Sequence, residues 1–227
     1  MFRLGIVTTI WRRPALTASV LSFYTSLSVP GIEFTRSAAG SEGDHSERIA
    51  RDAGFAYVEA PNHPLSDKHN AALSIVGDVD AVMVVGSDDL VSPRWVADAT
   101  RRIQAGAAAA SKRGLHVSDG TSIWHCPYVV TGAGAVYSRA ALDGLAWSLW
   151  PRCIETGLDK AALIRASAYG EWVDMESDGP ILDIKTGDVT LFTMDDVRRW
   201  GGSVVAPAPE WIGRNFPSWT DPGPVNL

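Results

Sequence analysis

Five consecutive apolar residues, Ala81-Val82-Met83-Val84-Val85, run straight into Gly86-Ser87-Asp88-Asp89. A strand without alternation shows neither face to water, so it belongs inside a sheet covered by helices on both sides. The residues before it repeat strand and helix in keeping with that. Arg3 to Ile10 reads as a buried strand, and Pro14 then opens a helix with apolar positions Leu16, Val20, Leu21, Tyr24 and Leu27. Proline costs nothing in a first helical turn, where its missing N–H would be unpaired anyway. Ile32 to Arg36, the small-residue loop Ala38 to Asp44 and a helix from Ser46 to Ala53 form a second unit. Phe55 to Glu59, a break at Pro61 to Pro64 and a helix from Asp67 to Val76 form a third. Repeated strand–helix units predict a mostly parallel sheet whose ligand crevice lies at the carboxyl ends of the strands, where Gly86 to Asp89 falls.

After a helix from Pro93 to Gln104 the pattern becomes mixed, with short strand candidates at Leu115 to Val117, Ile123 to Trp124, Val129 to Val130 and Ala135 to Tyr137, then a helix from Ala140. The expectation is one α/β domain over 1-205, with a donor half of about 1-105 and an acceptor half of about 106-205. Residues 206-227 carry Pro207, Pro209, Pro217, Pro222 and Pro224 and read as an extended tail. Against 26 Asp and Glu stand 20 Lys and Arg, a net charge of −6 that disfavours a general binder of nucleic acid or anionic membranes. The apolar runs fall far short of the ~18 residues of a membrane span. Cys126 and Cys153 make neither a disulfide framework nor a zinc set and are expected as reduced core residues.

Asp88 and Asp89 at a strand end can present carboxylates to a hard divalent cation, Mn²⁺ or Mg²⁺; either can equally cap the helix that Ser92-Pro93 opens. The order of features resembles the family 2 glycosyltransferases, which have the GT-A fold. Ile6-Val7-Thr8-Thr9 with Arg13-Pro14 is similar to that family's first strand and helix start. Gly40-Ser41-Glu42-Gly43-Asp44 is similar to its second-strand loop, Asn62 to Leu73 with Lys68-His69-Asn70-Ala71-Ala72-Leu73 to its N, K/R-x-N-x-A-L stretch, and Gly86-Ser87-Asp88 to its DxD motif. The resemblance implies a metal-dependent enzyme that moves a sugar from a nucleotide-diphosphate donor to a hydroxyl acceptor with inversion, the metal sitting at Asp88. It implies donor contacts from Thr8, Thr9, Arg13, Ser41, Asp44, Lys68, Asn70, Ser87 and Asp88. Two positions depart from the pattern: Gly86 stands in place of the first acid, whose contact must be absent or supplied by Asp89, and Ala39 stands where an acid often reads the donor base.

A departing diphosphate needs cations in a partly desolvated cleft, and Lys68 at a helix start is the first candidate, against the plain alternative of an exposed lysine. An acid before a late helix is the family's base for the acceptor hydroxyl; Asp159 is the nearest match and Glu155 the second, though Asp159 suits a helix N-cap as well. Gly132 and Gly134 allow close approach of backbone to ligand. Trp124 and Trp150 are candidate acceptor contacts, because sugar C–H faces stack on indole rings. Asp183 and Lys185 share a strand face and read as a surface ion pair or as a supplement to the metal site.

Two other readings stand beside the transferase. A nucleotidyltransferase also uses strand-end acids but wants a glycine-rich basic loop after the first strand, where this chain has Thr8 to Arg13; a non-catalytic carbohydrate- or partner-binding protein would accommodate Gly86. The acceptor is read as a glycan, a protein or a modified nucleic acid. The expected location is the cytoplasm of a bacterium or a phage-infected host, with no membrane partner.

Overall fold

The computed structural model describes residues 1–185 and 193–219. Thr186, which the sequence reading places in the run from Ile181, and the chain from Thr220 onward lie outside the described residues.

The Ala81–Val85 run forms a fully buried strand, β4, whose alternate residues divide between two cores: Ala81, Met83 and Val85 face one way, Val82 and Val84 the other. Beside it lie β1 (Phe2–Thr9), β2 (Ile32–Gly40) and β3 (Ala56–Glu59), all parallel. Helices α1 (Pro14–Ser26), α2 (Asp44–Asp52) and α3 (Leu65–Ser74) connect them. β5 (Asp89–Val91) follows the Gly86 loop, and α4 (Pro93–Gln104) starts at Ser92, whose hydroxyl accepts the Trp95 N–H. The first core packs against α1, α2 and α4, and the second against α3.

The acceptor half departs from the short strands expected of it. Leu115 to Val117 belongs to β6 (Ala109–Ser118), and the other three candidates are one long strand, β7 (Ser122–Ser138), antiparallel to β6 and β4. Gly114, Pro127, Gly132 and Gly134 interrupt the alternation in the sequence, and the β6/β7 register shifts near Arg113 and Leu115. Two helices, α5 (Arg139–Gly144) and α6 (Leu158–Ala166), cover the second core. β8 (Trp172–Met175) and β9 (Ile181–Ile184) pair parallel to β6. Among the described residues the main path of the sheet runs β3-β2-β1-β4-β7-β6-β9-β5.

The beginning of the expected tail is structured. After α7 (Met194–Arg199), β10 (Ser203–Pro207) pairs with β7, and α8 (Ala208–Asn215) follows, with Pro207 as its N-cap and Pro209 in its first turn. The prolines that suggest extension here start a helix. Phe216 seals the first core. Cys126 is buried as expected, whereas Cys153 is exposed. No helix among the described residues is long and apolar enough to cross a membrane.

Candidate functional site

The carboxyl ends of β1, β2 and β4 open on one side of the sheet. There Asp88 meets Arg13, whose Nη1 donates to Asp88 Oδ2 at 2.8 Å. The two side chains keep 12% and 17% of their surface, so the pair is largely withdrawn from water. The chain reaches it through two successive non-glycine residues with left-handed backbone, Arg12 at φ 57° and Arg13 at φ 50°. Each costs about 1–2 kcal/mol, and a strained pair at a strand end marks a place where position matters more than local stability. Glu42 accepts the Arg12 N–H at 2.8 Å and helps hold the bend.

Asp89, expected as a metal ligand, turns inward: it is 7% exposed and its Oδ2 accepts the Gly86 N–H at 2.7 Å. A Cβ on Gly86 would lie 2.6 Å from that oxygen. The carboxyl of Asp89 therefore fills the space a side chain at 86 would need, which is why glycine stands there. Across the β5/β9 pair Asp89 faces Asp183, which is also buried and bonded to Lys185 Nζ at 2.7 Å. Asp183 and Lys185 thus form a buried ion pair rather than a surface one. Burial, with Asp88 nearby, raises both the Asp89 and the Asp183 carboxyls above the usual range, and Lys185 opposes the rise. The loop is fastened further by Tyr24, which donates to Asp89 O, and by Ile184 N–H, which donates to Asp88 O.

Lys68 is not the exposed lysine of the plain alternative. It is fully buried, and its Nζ donates to Ile10 O at 2.6 Å and to Ser41 Oγ and Asn62 Oδ1 at 3.0 Å each. An ammonium has three protons, so these bonds use them all and fasten the ends of β1 and β2 together. Burial lowers Lys68 to about 8, with Glu42 and Glu59 opposing. Asn70 pairs in both directions with the backbone of Trp150, Nδ2 to O at 2.9 Å and Oδ1 from N at 3.2 Å, so its amide holds the loop. Thr8 is fully buried with its hydroxyl unpartnered, Thr9 is partly buried, Ser87 is 6% exposed and Asp44 lies exposed in the first turn of α2.

Trp150, expected at the acceptor, is 2% exposed with its ring 4.8 Å from His69. It is a core residue. Trp124 donates its indole N–H to Asp119 and lies under the Arg198 guanidinium. In the registers Trp124↔Val117, Val117↔Asp183 and Asp183↔Asp89 it stands three strands from the loop, about 14 Å away. His125, the residue after Trp124, stacks on His116 at 4.6 Å.

Gly132 is where β7 meets the first turn of α6. A Cβ there would lie 2.2 Å from the Asp159 carboxyl, so the glycine is the slot into which Asp159 fits. The helix N-cap of α6 is Gly157, and Asp159 lies in the first turn, its carboxylate against the Gly132 backbone N–H. Asp159 keeps one side exposed, yet its enclosure on the other raises the carboxyl above the usual range, with the Gly132 N–H opposing. β7 pairs with β4 from Ser138 to Val136, and Gly134 and Gly132 lie beyond that pairing, where β7 shifts register against β6. Gly134, at φ 69°, receives Trp95 Nε1 on its carbonyl at 2.8 Å, leaving no space for a side chain. Glu155 accepts the Leu65 N–H and contacts His63, both at 3.2 Å, and so caps α3.

Among the described residues no group of three or more His, Cys, Asp or Glu could hold a metal ion by itself. Of the two acids in the Gly86 loop Asp88 is the one not buried, and one carboxylate fits a divalent ion that shares its shell with substrate phosphates. Sequence reasoning missed the inward turn of Asp89, because spacing gives a strand face but not depth; Asn62, which opens the family-like stretch in the sequence, is one of the three acceptors of Lys68.

No protein-family model and no curated protein sequence matches the chain. Solved structures do resemble it. S. aureus TarS 1-349 in complex with UDP-GlcNAc is similar at TM-score 0.60 and 15% identity over 88% of this chain and 64% of that one. The mannosyltransferase PcManGT from Pyrobaculum calidifontis, in complex with GDP-Man and Mn²⁺, is similar at TM-score 0.60 and 13% identity over 87% and 60%. Glucosyl-3-phosphoglycerate synthase from Mycobacterium tuberculosis, with Mn²⁺, UDP and glucosyl-3-phosphoglycerate, gives TM-score 0.57 and 14% identity over 88% and 76%. The chain spans 60% to 64% of the length of the TarS 1-349 structures. Together with the parallel β1–β4 half and the mixed second half, these likenesses give the chain a GT-A glycosyltransferase fold.

Proposed function

We propose that this chain is a glycosyltransferase that moves a sugar from a nucleotide-diphosphate donor to a hydroxyl acceptor with inversion. The observation that carries this reading is Asp88 at the carboxyl end of β4, largely withdrawn from water and paired with a cation, and Asp159, set on Gly132 with a raised pKa, supports it from the second half of the chain. The donor diphosphate lies over the Asp88 loop. A divalent ion, Mn²⁺ or Mg²⁺, held by Asp88 and the phosphates would stabilise the charge of the leaving diphosphate. Arg13 adds a fixed positive charge at the same place, and the withdrawn setting strengthens it. Asp159 accepts the acceptor's hydroxyl proton, for which a raised carboxyl is the better base near neutral pH. Lys68 serves the reaction by holding Ile10 and Ser41 in place. The Asp89 carboxyl fills the space beside Gly86 and is bonded to its N–H, so the contact of the missing first acid is not replaced, the departure that favours a non-catalytic binding protein as the second reading.

The test is thermal denaturation with a panel of nucleoside diphosphates and nucleotide-sugars, with Mn²⁺ or EDTA, on wild type and Asp88→Asn. A ligand at a hundred times its Kd stabilises by about 2.7 kcal/mol, several degrees for a chain of this length. A shift for one nucleotide, lost in EDTA and in Asp88→Asn, is expected; a flat panel overturns the reading.

A further inference from the structure

We infer that Arg13 occupies the cation's place on Asp88 while the donor site is empty, and hands that oxygen over when a divalent ion arrives with the donor diphosphate. The inference rests on the proposed donor site and deepens it. Arg13 Nη1 sits on Asp88 Oδ2 at 2.8 Å, and a metal held by Asp88 would compete for that same carboxylate. The neighbouring acids offer no alternative, since Asp89 is bonded to the Gly86 N–H and Asp183 to Lys185. The guanidinium is not saturated where it lies, because Arg13 Nε is buried without a hydrogen-bond partner. A guanidinium with an unused donor beside a phosphate site is suited to turn to phosphate oxygens once Asp88 no longer needs it. The left-handed Arg12-Arg13 backbone supports the same conclusion, for a purely structural ion pair would not need two strained residues to present it. Arg13 would then set the order of binding, with metal alone disfavoured and metal with diphosphate favoured.

The experiment titrates Mn²⁺ alone, read by electron paramagnetic resonance of the free ion, into wild type, Arg13→Gln, Arg13→Lys and Asp88→Asn. It then repeats the titration with the nucleoside diphosphate selected by the denaturation panel. Circular dichroism confirms that each variant is folded. The expected result is Mn²⁺ binding to Arg13→Gln about tenfold tighter than to wild type, the effect of removing one opposing cation beside a carboxylate. Arg13→Lys should stay near wild type, and Asp88→Asn should bind weakest. With Mn²⁺ present, diphosphate should bind Arg13→Gln more weakly than wild type. Equal Mn²⁺ affinity in wild type and Arg13→Gln overturns the inference, as does unchanged diphosphate affinity in Arg13→Gln. If wild type takes no diphosphate at all, the donor-site reading fails, while the titration with metal alone still decides whether Arg13 blocks Asp88.

Discussion

On the β1–β4 side of the cleft, the loops at the strand ends are tied to one another: Lys68 joins Ile10, Ser41 and Asn62, and Arg13 joins Asp88. On the β7 side, Asp159 reaches its place from the first turn of α6 and rests against Gly132, a residue with no side chain. The first arrangement orients several groups at once through a buried network, and the loss of one member unsettles the rest. The second needs only an open slot. Substitutions should therefore separate the two sides, with donor-side changes costing stability and binding and acceptor-side changes costing turnover.

The largest separation is expected from Asp159→Asn. Loss of a general base lowers kcat by about 10² or more, while the melting temperature and nucleotide affinity stay at wild-type values. Steady-state kinetics with the identified donor, using transfer to water if no acceptor is in hand, checks this. A parallel loss of nucleotide affinity would break the comparison. Next in size is Lys68→Met, which strips a buried charged donor from three acceptors and should cost about 3 kcal/mol, or roughly 6–12 °C in melting temperature. A stable Lys68→Met protein would show that the donor side is not a network at all.

The smallest effect is in pH. His69, on the donor side, is held down to about 4 by burial and Lys68; His116, on the acceptor side, is held down to about 3 by burial, then by His125 and Lys112. Both stay neutral in the folded chain where a free histidine takes up a proton near 6.5. The unfolded state therefore binds more protons below that pH, so stability is full above about 6.5 and falls as pH drops towards 4. Urea denaturation of His69→Gln and His116→Gln between pH 7 and 4.5 should show each variant with a shallower slope than wild type, and unequal slopes would rank the two sides.

The sequence makes the donor half legible because the period of each element there is uninterrupted: β4 is continuously apolar, and Pro14 begins α1 as expected. β7 is hidden because a glycine or proline breaks its alternation wherever the strand bends or meets a neighbour, as Gly132 meets Asp159. In α8, Pro207 and Pro209 are the opening of a helix, a signal present in the sequence but outweighed by the count of prolines around it. Asp88 and Asp159 were visible as acids at element boundaries. The inward turn of Asp89 was not, since depth depends on what packs above a strand. Nor was Arg13's seat on Asp88, which depends on a left-handed bend that no arginine announces.

Helix α3 has a further consequence. Within its 10 residues it carries Lys68, which grips the donor loops, and Asn70, which grips the Trp150 backbone, while Glu155 returns to cap its first turn. The distance between the two banks of the cleft is thus gauged by a single rigid rod rather than by a pair of independent loops. Breathing of the cleft has to pivot about that rod, and the amides of α3 should be among the last to exchange with solvent when the rest of the mouth opens.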